Sequence, residues 1–124
     1  FVVHASPNGI ETQNMVQVAS LEYFLSFSQE IAIYRPKSVY KETAIQAANY
    51  ALSLAGEVPF DRGFDLDTED AVYCTELIWR SYLEAGEDIV DNNLEELEMP
   101  FFGVNEYIFP SSLMNEKYFY LFYP

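Results

Sequence analysis

The 124-residue sequence predicts an α+β fold. Three observations carry that expectation. Strand-like stretches stand at both ends of the chain and near Ile33. Two helical stretches follow one another in the middle, the first after Ser38 and the second from Val72. The order strand, strand, helix, helix, strand lacks the regular alternation that builds a parallel βαβ sheet.

Phe1–His4 reads as a strand closed by the turn residues Ser6-Pro7-Asn8-Gly9, with Ile10–Gln13 returning beside it. Leu21, Phe24 and Leu25 recur at helical spacing, which predicts a short helix over Val18–Phe27. Glu30–Pro36 alternates polar and apolar residues, the period of a half-buried strand, and Pro36 ends it. In the clearest helix Ser38 is the expected cap and Gly56 closes the segment. Ala44, Ala47, Ala48, Ala51 and Ala55 line one narrow face of it, flanked by Ile45 and Leu52. A face so small predicts close approach to another element, a second helix above all.

Glu57–Asp70 is a loop carrying Pro59 and Gly63. The second helix is expected over Val72–Ala85 and ends at Gly86. Cys74, Leu77, Ile78, Ser81, Tyr82 and Ala85 share one stripe of it, so Cys74 is expected to point inward from the first turn. Glu76 and Arg80 form an i,i+4 pair on another face. The tail reads as a helical patch over Leu94–Leu97, a turn at Pro110-Ser111-Ser112 and a final strand, Tyr118–Tyr123. With no linker, repeat or low-complexity tract, residues 1–124 are expected to form a single domain.

Half of the residues are apolar and 17% are aromatic, which excludes a disordered acidic tail. Six Lys and Arg against twenty Asp and Glu give a net charge of −14. That balance argues against nucleic acid, whose phosphates need cations, and against unaided docking on anionic membranes. No stretch reaches the ~18 apolar residues of a membrane span. A single cysteine forbids an internal disulfide.

The same cysteine is the most informative residue. Cys74 stands where an acid-rich loop becomes a helix. Unpaired N–H groups at a helix start carry partial positive charge and favour a thiolate, the nucleophilic form. His4, the only histidine, lies in the first strand. One cysteine and one histidine on separate elements are the minimum for cysteine-based acyl chemistry, with the Cys74 amide as an oxyanion donor. Asp65, Asp67, Glu69 and Asp70 oppose a thiolate by their charge. With Glu76 at the twelfth place they approach a calcium loop, but the sixth place holds Asp70 instead of glycine. No metal is expected, and Thr68 or Asp70 is assigned to capping the helix. Glu11 is a candidate for orienting a histidine, and Arg35 for pairing with a carboxylate.

Gly56-x-x-Pro59-Phe60-Asp61-x-x-Phe64 followed by Val72-Tyr73-Cys74-Thr75-Glu76-Leu77-Ile78-Trp79-x-x-Tyr82 resembles the YiiX-type circularly permuted papain-like proteins of the NlpC-like clan. These are related to lecithin retinol acyltransferase. The opening Val3-His4-Ala5-Ser6, the strand ending in Arg35 and the late Pro110-Ser111 also fit, so the resemblance spans nearly the whole chain.

It implies a small antiparallel sheet packed by helices and a cysteine peptidase, amidase or acyl-transfer activity without a cofactor. The implied substrates are cell-wall peptides or lipid-like acyl groups. Cys74 is carried over as nucleophile, with Tyr73 beside it and Glu11 as supporting candidates. Two registers exist for His4: the general base itself, or the polar third residue following a base on an upstream strand. The second is preferred, because His4 runs into the turn Ala-Ser-Pro-Asn-Gly, whereas the family's base precedes small and apolar strand residues. A start without Met, inside a strand, carries the expectation of an upstream segment, and the family's habits that of a bacterial envelope or secreted location. The rivals are a lipid acyltransferase or thioesterase and a catalytically inactive binding domain of the same fold.

Overall fold

The computed structural model describes residues 1–7, 14–91, 94–99 and 103–124. Strands β1 (Val2–Ser6) and β2 (Met15–Ala19) form an antiparallel ladder with Val3 opposite Val18, His4 opposite Gln17 and Ala5 opposite Val16. Side chains alternate across a strand, so Val3 and Ala5 face the core while His4 faces the other way. The alternating valines of β2 take the residues from Val18 that helical spacing had claimed. The helix there shrinks to α1 (Leu21–Leu25), because Ser20 caps it by accepting from Tyr23 N–H at 3.1 Å. The partner of β1 is thus Met15–Ala19, and the expected return over Ile10–Gln13, with Glu11, lies outside the described residues.

Strand β3 (Ile33–Pro36) pairs antiparallel with β6 (Phe119–Tyr123), joining the middle of the chain to its end. Ser38 does not cap an α-helix. Ser38–Tyr40 is a single 3₁₀ turn, and α2 (Lys41–Ser53) starts after it with Tyr40 at the N-cap. The alanine face meets the expected second helix, α3 (Cys74–Glu84): Ala44, Ala47 and Ala51 lie against Leu77 and Ser81, with Val3 of β1 at the seam. The small alanines leave a cavity of about 150 Å³ along this seam. A Schellman closure ends α3, where Gly86 N–H donates to Leu83 O at 2.9 Å and Glu87 N–H to Tyr82 O at 2.9 Å. The closure needs φ +98° at Gly86, which a side chain would strain.

The loop between the helices is tied down at both ends. Val16 of β2 donates to Val58 O at 2.8 Å and accepts from Gly56 at 2.9 Å, and Phe60 bridges to Val72 just before α3. Between those ties, Asp61 accepts from Gly63 N–H at 2.8 Å and from Asp65 N–H at 2.9 Å. The expected helical patch at Leu94–Leu97 is instead strand β4 (Glu95–Met99), paired antiparallel with β5 (Gly103–Tyr107). Glu and Leu favour helix by propensity, yet the alternation Glu96, Leu97, Glu98, Met99 has period two, and pairing decides the matter. Pro110–Leu113 forms a 3₁₀ turn. The core gathers Ala5, Val16, Phe60, Tyr73, Leu77 and Ile108, from both halves of the chain.

Ala47 is 2% exposed at the helix seam, so Ala47→Asn should bury an unpaired amide and lower stability by about 1–3 kcal/mol in urea denaturation. Gln46→Asn on the exposed side of α2 should stay within about 0.5 kcal/mol of the parent, and equal effects would refute the buried seam.

Candidate active site

Cys74 is the first residue of α3, and its side chain is exposed. This reverses the expectation that it points inward. The stripe expected from spacing is buried at Leu77 and Ser81, but Thr75 and Glu76 are buried too. The first turn is therefore embedded on three sides and opens to solvent at Cys74 and, one turn on, at Ile78.

Three neighbours build that opening. Tyr73 Oη accepts from Ile108 N–H at 3.1 Å, and Thr75 Oγ1 donates to Ile108 O at 2.6 Å. The residues on either side of the cysteine thus satisfy both polar groups of one buried backbone unit and turn inward to do so. Glu76 Oε1 accepts from Tyr73 N–H at 3.1 Å, fixing the extended backbone that starts the helix. The first bond within the helix runs from Leu77 N–H to Tyr73 O at 2.9 Å. The amides of Cys74, Thr75 and Glu76 come before it, at the positions where a helix start offers no acceptor within the helix.

An aromatic wall stands behind the thiol. The Tyr107 ring stacks on Tyr73 with centroids 4.9 Å apart and planes 7° from parallel, and Phe64 and Phe109 meet Tyr107 edge-on. Burial, and then the neighbouring Cys74, push the Tyr107 hydroxyl above the usual phenol range.

Glu76 is fully buried, and the expected i,i+4 pair with Arg80 forms on this face of the helix. Its Oε2 pairs with Arg80 at 2.7 Å, and Arg80 donates onward to Leu66 O at 3.0 Å and Thr68 O at 2.8 Å. Thr68 and Asp70 therefore do not cap α3: Tyr73 occupies the cap position, and Thr68 serves Arg80 through its carbonyl. Burial raises the Glu76 carboxyl to about 7 against the opposing pull of the Tyr73 amide and Arg80. Asp65 acts in a turn, accepting from Asp67 N–H at 2.9 Å.

His4 sits on the face of β1 turned away from the helix seam, with its ring edge-on to Phe24 at 5.2 Å. Its Nε2 is buried and has no hydrogen-bond partner among the described residues. Burial lowers its pKa, which keeps the imidazole neutral at pH 7. Among the described residues no hydrogen bond joins His4 to Cys74. Arg35, expected to pair with a carboxylate, lies instead over the Phe122 ring, 4.3 Å from its centroid.

The sequence model of the permuted papain-like amidase enzymes, YaeF/YiiX, the C92 peptidases, matches residues 1–106. The chain belongs to this family. No curated protein and no solved structure matches it. Membership in the C92 amidases agrees with the α+β architecture of small antiparallel ladders and helices, and it places the chain in the general class of cysteine hydrolases. Both Cys74 and His4 fall inside the matched span.

Sequence reasoning missed Thr75, Glu76 and Tyr107 as parts of this site. For Glu76 a signal existed, since a glutamate three residues after an N-cap is the capping-box position. Tyr107 and Ile108 meet the helix start only through the tertiary fold.

Two outcomes are expected. Tyr73→Phe deletes the acceptor of the buried Ile108 N–H and should lower stability by about 1–3 kcal/mol in thermal or urea melts. For Glu76, the folded pKa lies above the unfolded 4.5, so its contribution is fully present below about 4.5 and is lost as pH rises through about 7. Measured as Tm across pH 4–8, wild type should lose ground to Glu76→Gln over that window and run parallel to it above. A constant difference at every pH would refute the buried carboxyl.

Proposed function

We propose that this chain is a cysteine hydrolase that cleaves amide bonds of cell-wall peptides or related acyl substrates, with Cys74 as nucleophile. The observation that carries the reading is the exposed thiol at the first position of α3, with buried structure on its other sides. The Cys74 thiolate adds to the amide carbonyl carbon, forming the C–S bond, and the oxyanion faces the Cys74 N–H. Collapse breaks the C–N bond, and the amine leaves with a proton delivered by an imidazole. Water then adds to the thioester, and the C–S bond breaks to return the thiol and release the acid.

His4 serves this proton transfer as the imidazole itself or as the partner that orients one. Its neutral ring and the open hydrogen-bonding valence of Nε2 suit either role. The ring's position against Phe24, without a bond to Cys74, favours the orienting role. Tyr73 supports the site by fixing the backbone at the cysteine. No metal or organic cofactor enters the scheme.

Iodoacetamide should label Cys74 in the native protein at pH 6 faster than it labels a free thiol such as glutathione, and Cys74→Ser should abolish both the label and any amide hydrolysis. Labelling no faster than glutathione, or only after denaturation, would overturn the assignment. Incubation with peptidoglycan stem peptides and with N-acyl amino acids, followed by mass spectrometry of the Cys74 peptide, identifies which acyl group is taken up.

A further inference from the structure

The face of α3 that carries the thiol continues into a second feature. Cys74 and Ile78 lie one turn apart on the exposed side of the helix. Ile78, with Thr75 and Tyr82, forms one wall of a cavity of about 370 Å³. Tyr34 of β3, Met114 and Phe119 of β6 form the opposite wall. That volume falls within the ~300–1,000 Å³ of small-molecule sites.

None of the side chains lining the cavity is charged, although the chain as a whole carries twenty acids and six Lys and Arg. A largely apolar, uncharged cavity in so charged a molecule selects against the ionic parts of a ligand. Desolvating a carboxylate or ammonium there would go uncompensated, while each methylene buried is favourable. The helix rises ~1.5 Å per residue, so Ile78 stands ~6 Å and Tyr82 ~12 Å along the axis from Cys74. Cys74 does not itself line the cavity, but its neighbour Thr75 and Ile78 one turn on both do, so the exposed face of α3 leads from the sulfur to the cavity.

We infer that the cavity walled by Ile78, Tyr82, Met114 and Phe119 is a specificity pocket for an uncharged apolar group carried next to the scissile amide. This rests on Cys74 being the nucleophile. It narrows the substrate class: the amide cleaved has an apolar acyl chain or apolar side chain at that position, and charged neighbours are disfavoured there. Met114, unbranched and partly exposed, lets the wall adapt to chain length.

The test uses the native chain and a series of alkylating agents: iodoacetamide and its N-butyl, N-hexyl, N-octyl and N-benzyl derivatives. The rate at Cys74 is read by mass spectrometry relative to glutathione. The alkyl series should accelerate by about twofold per methylene, half of what complete burial gives. In Ile78→Asn and Met114→Asn the ratio of octyl to untailed rate should fall towards one. In Leu52→Asn, an exposed position on α2 outside the cavity, the ratio should stay as in wild type. Faster reaction of the alkyl reagents identifies an acyl chain as the occupant, and of the benzyl reagent a peptide side chain; both support the pocket. Rapid iodoacetamide labelling with a flat series overturns the pocket and leaves the nucleophile standing. A steep series on a thiol no faster than glutathione overturns the nucleophile, and with it the specificity role, and leaves only an apolar binding cavity beside Cys74.

Discussion

The backbone of Ile108 is the fixed point on which the site depends. Its N–H is taken by the Tyr73 phenol and its carbonyl by the Thr75 hydroxyl, and Ile108 itself is fully buried. A buried peptide unit outside a ladder must find such partners, because leaving either group unpaired is destabilising by about 1–3 kcal/mol. Here the two partners flank the cysteine. Satisfying the strand end therefore orients the helix start, and orienting the helix start sends the Cys74 side chain outward. The outward turn of the thiol follows from this one pair of hydrogen bonds.

The same arrangement explains what could be read along the chain. The fold class, the alanine seam between α2 and α3 and the glycine that ends α3 were legible, because each rests on local spacing or local backbone freedom. So was the placement of Cys74 at a helix start, together with the family that its flanking residues resemble. Its direction was not. Helical periodicity assigns one buried stripe, whereas the first turn of α3 is buried at Thr75, Glu76 and Leu77 alike. Only the distant Ile108 and the loop before the helix decide which residue is left outside. In the tail, the propensity of Glu and Leu for helix hid a strand whose pairing partner lies several residues on.

Electrostatics follows a similar economy. With six Lys and Arg for twenty acids, cations are scarce and the placement of each one matters. Arg80 is spent on the buried Glu76, where it offsets part of a desolvation that still leaves the carboxyl hard to ionise. Lys117 meets Asp91 at 3.5 Å on an exposed surface, a pair of little consequence for stability.

Arg80 also grips the loop before α3 through the carbonyls of Leu66 and Thr68, not through their side chains. Every residue type offers a carbonyl. The instruction for the path of that loop is thus written in the helix: a new side chain at position 68 leaves the strap fastened, whereas Leu66 is also held by its packing against the core.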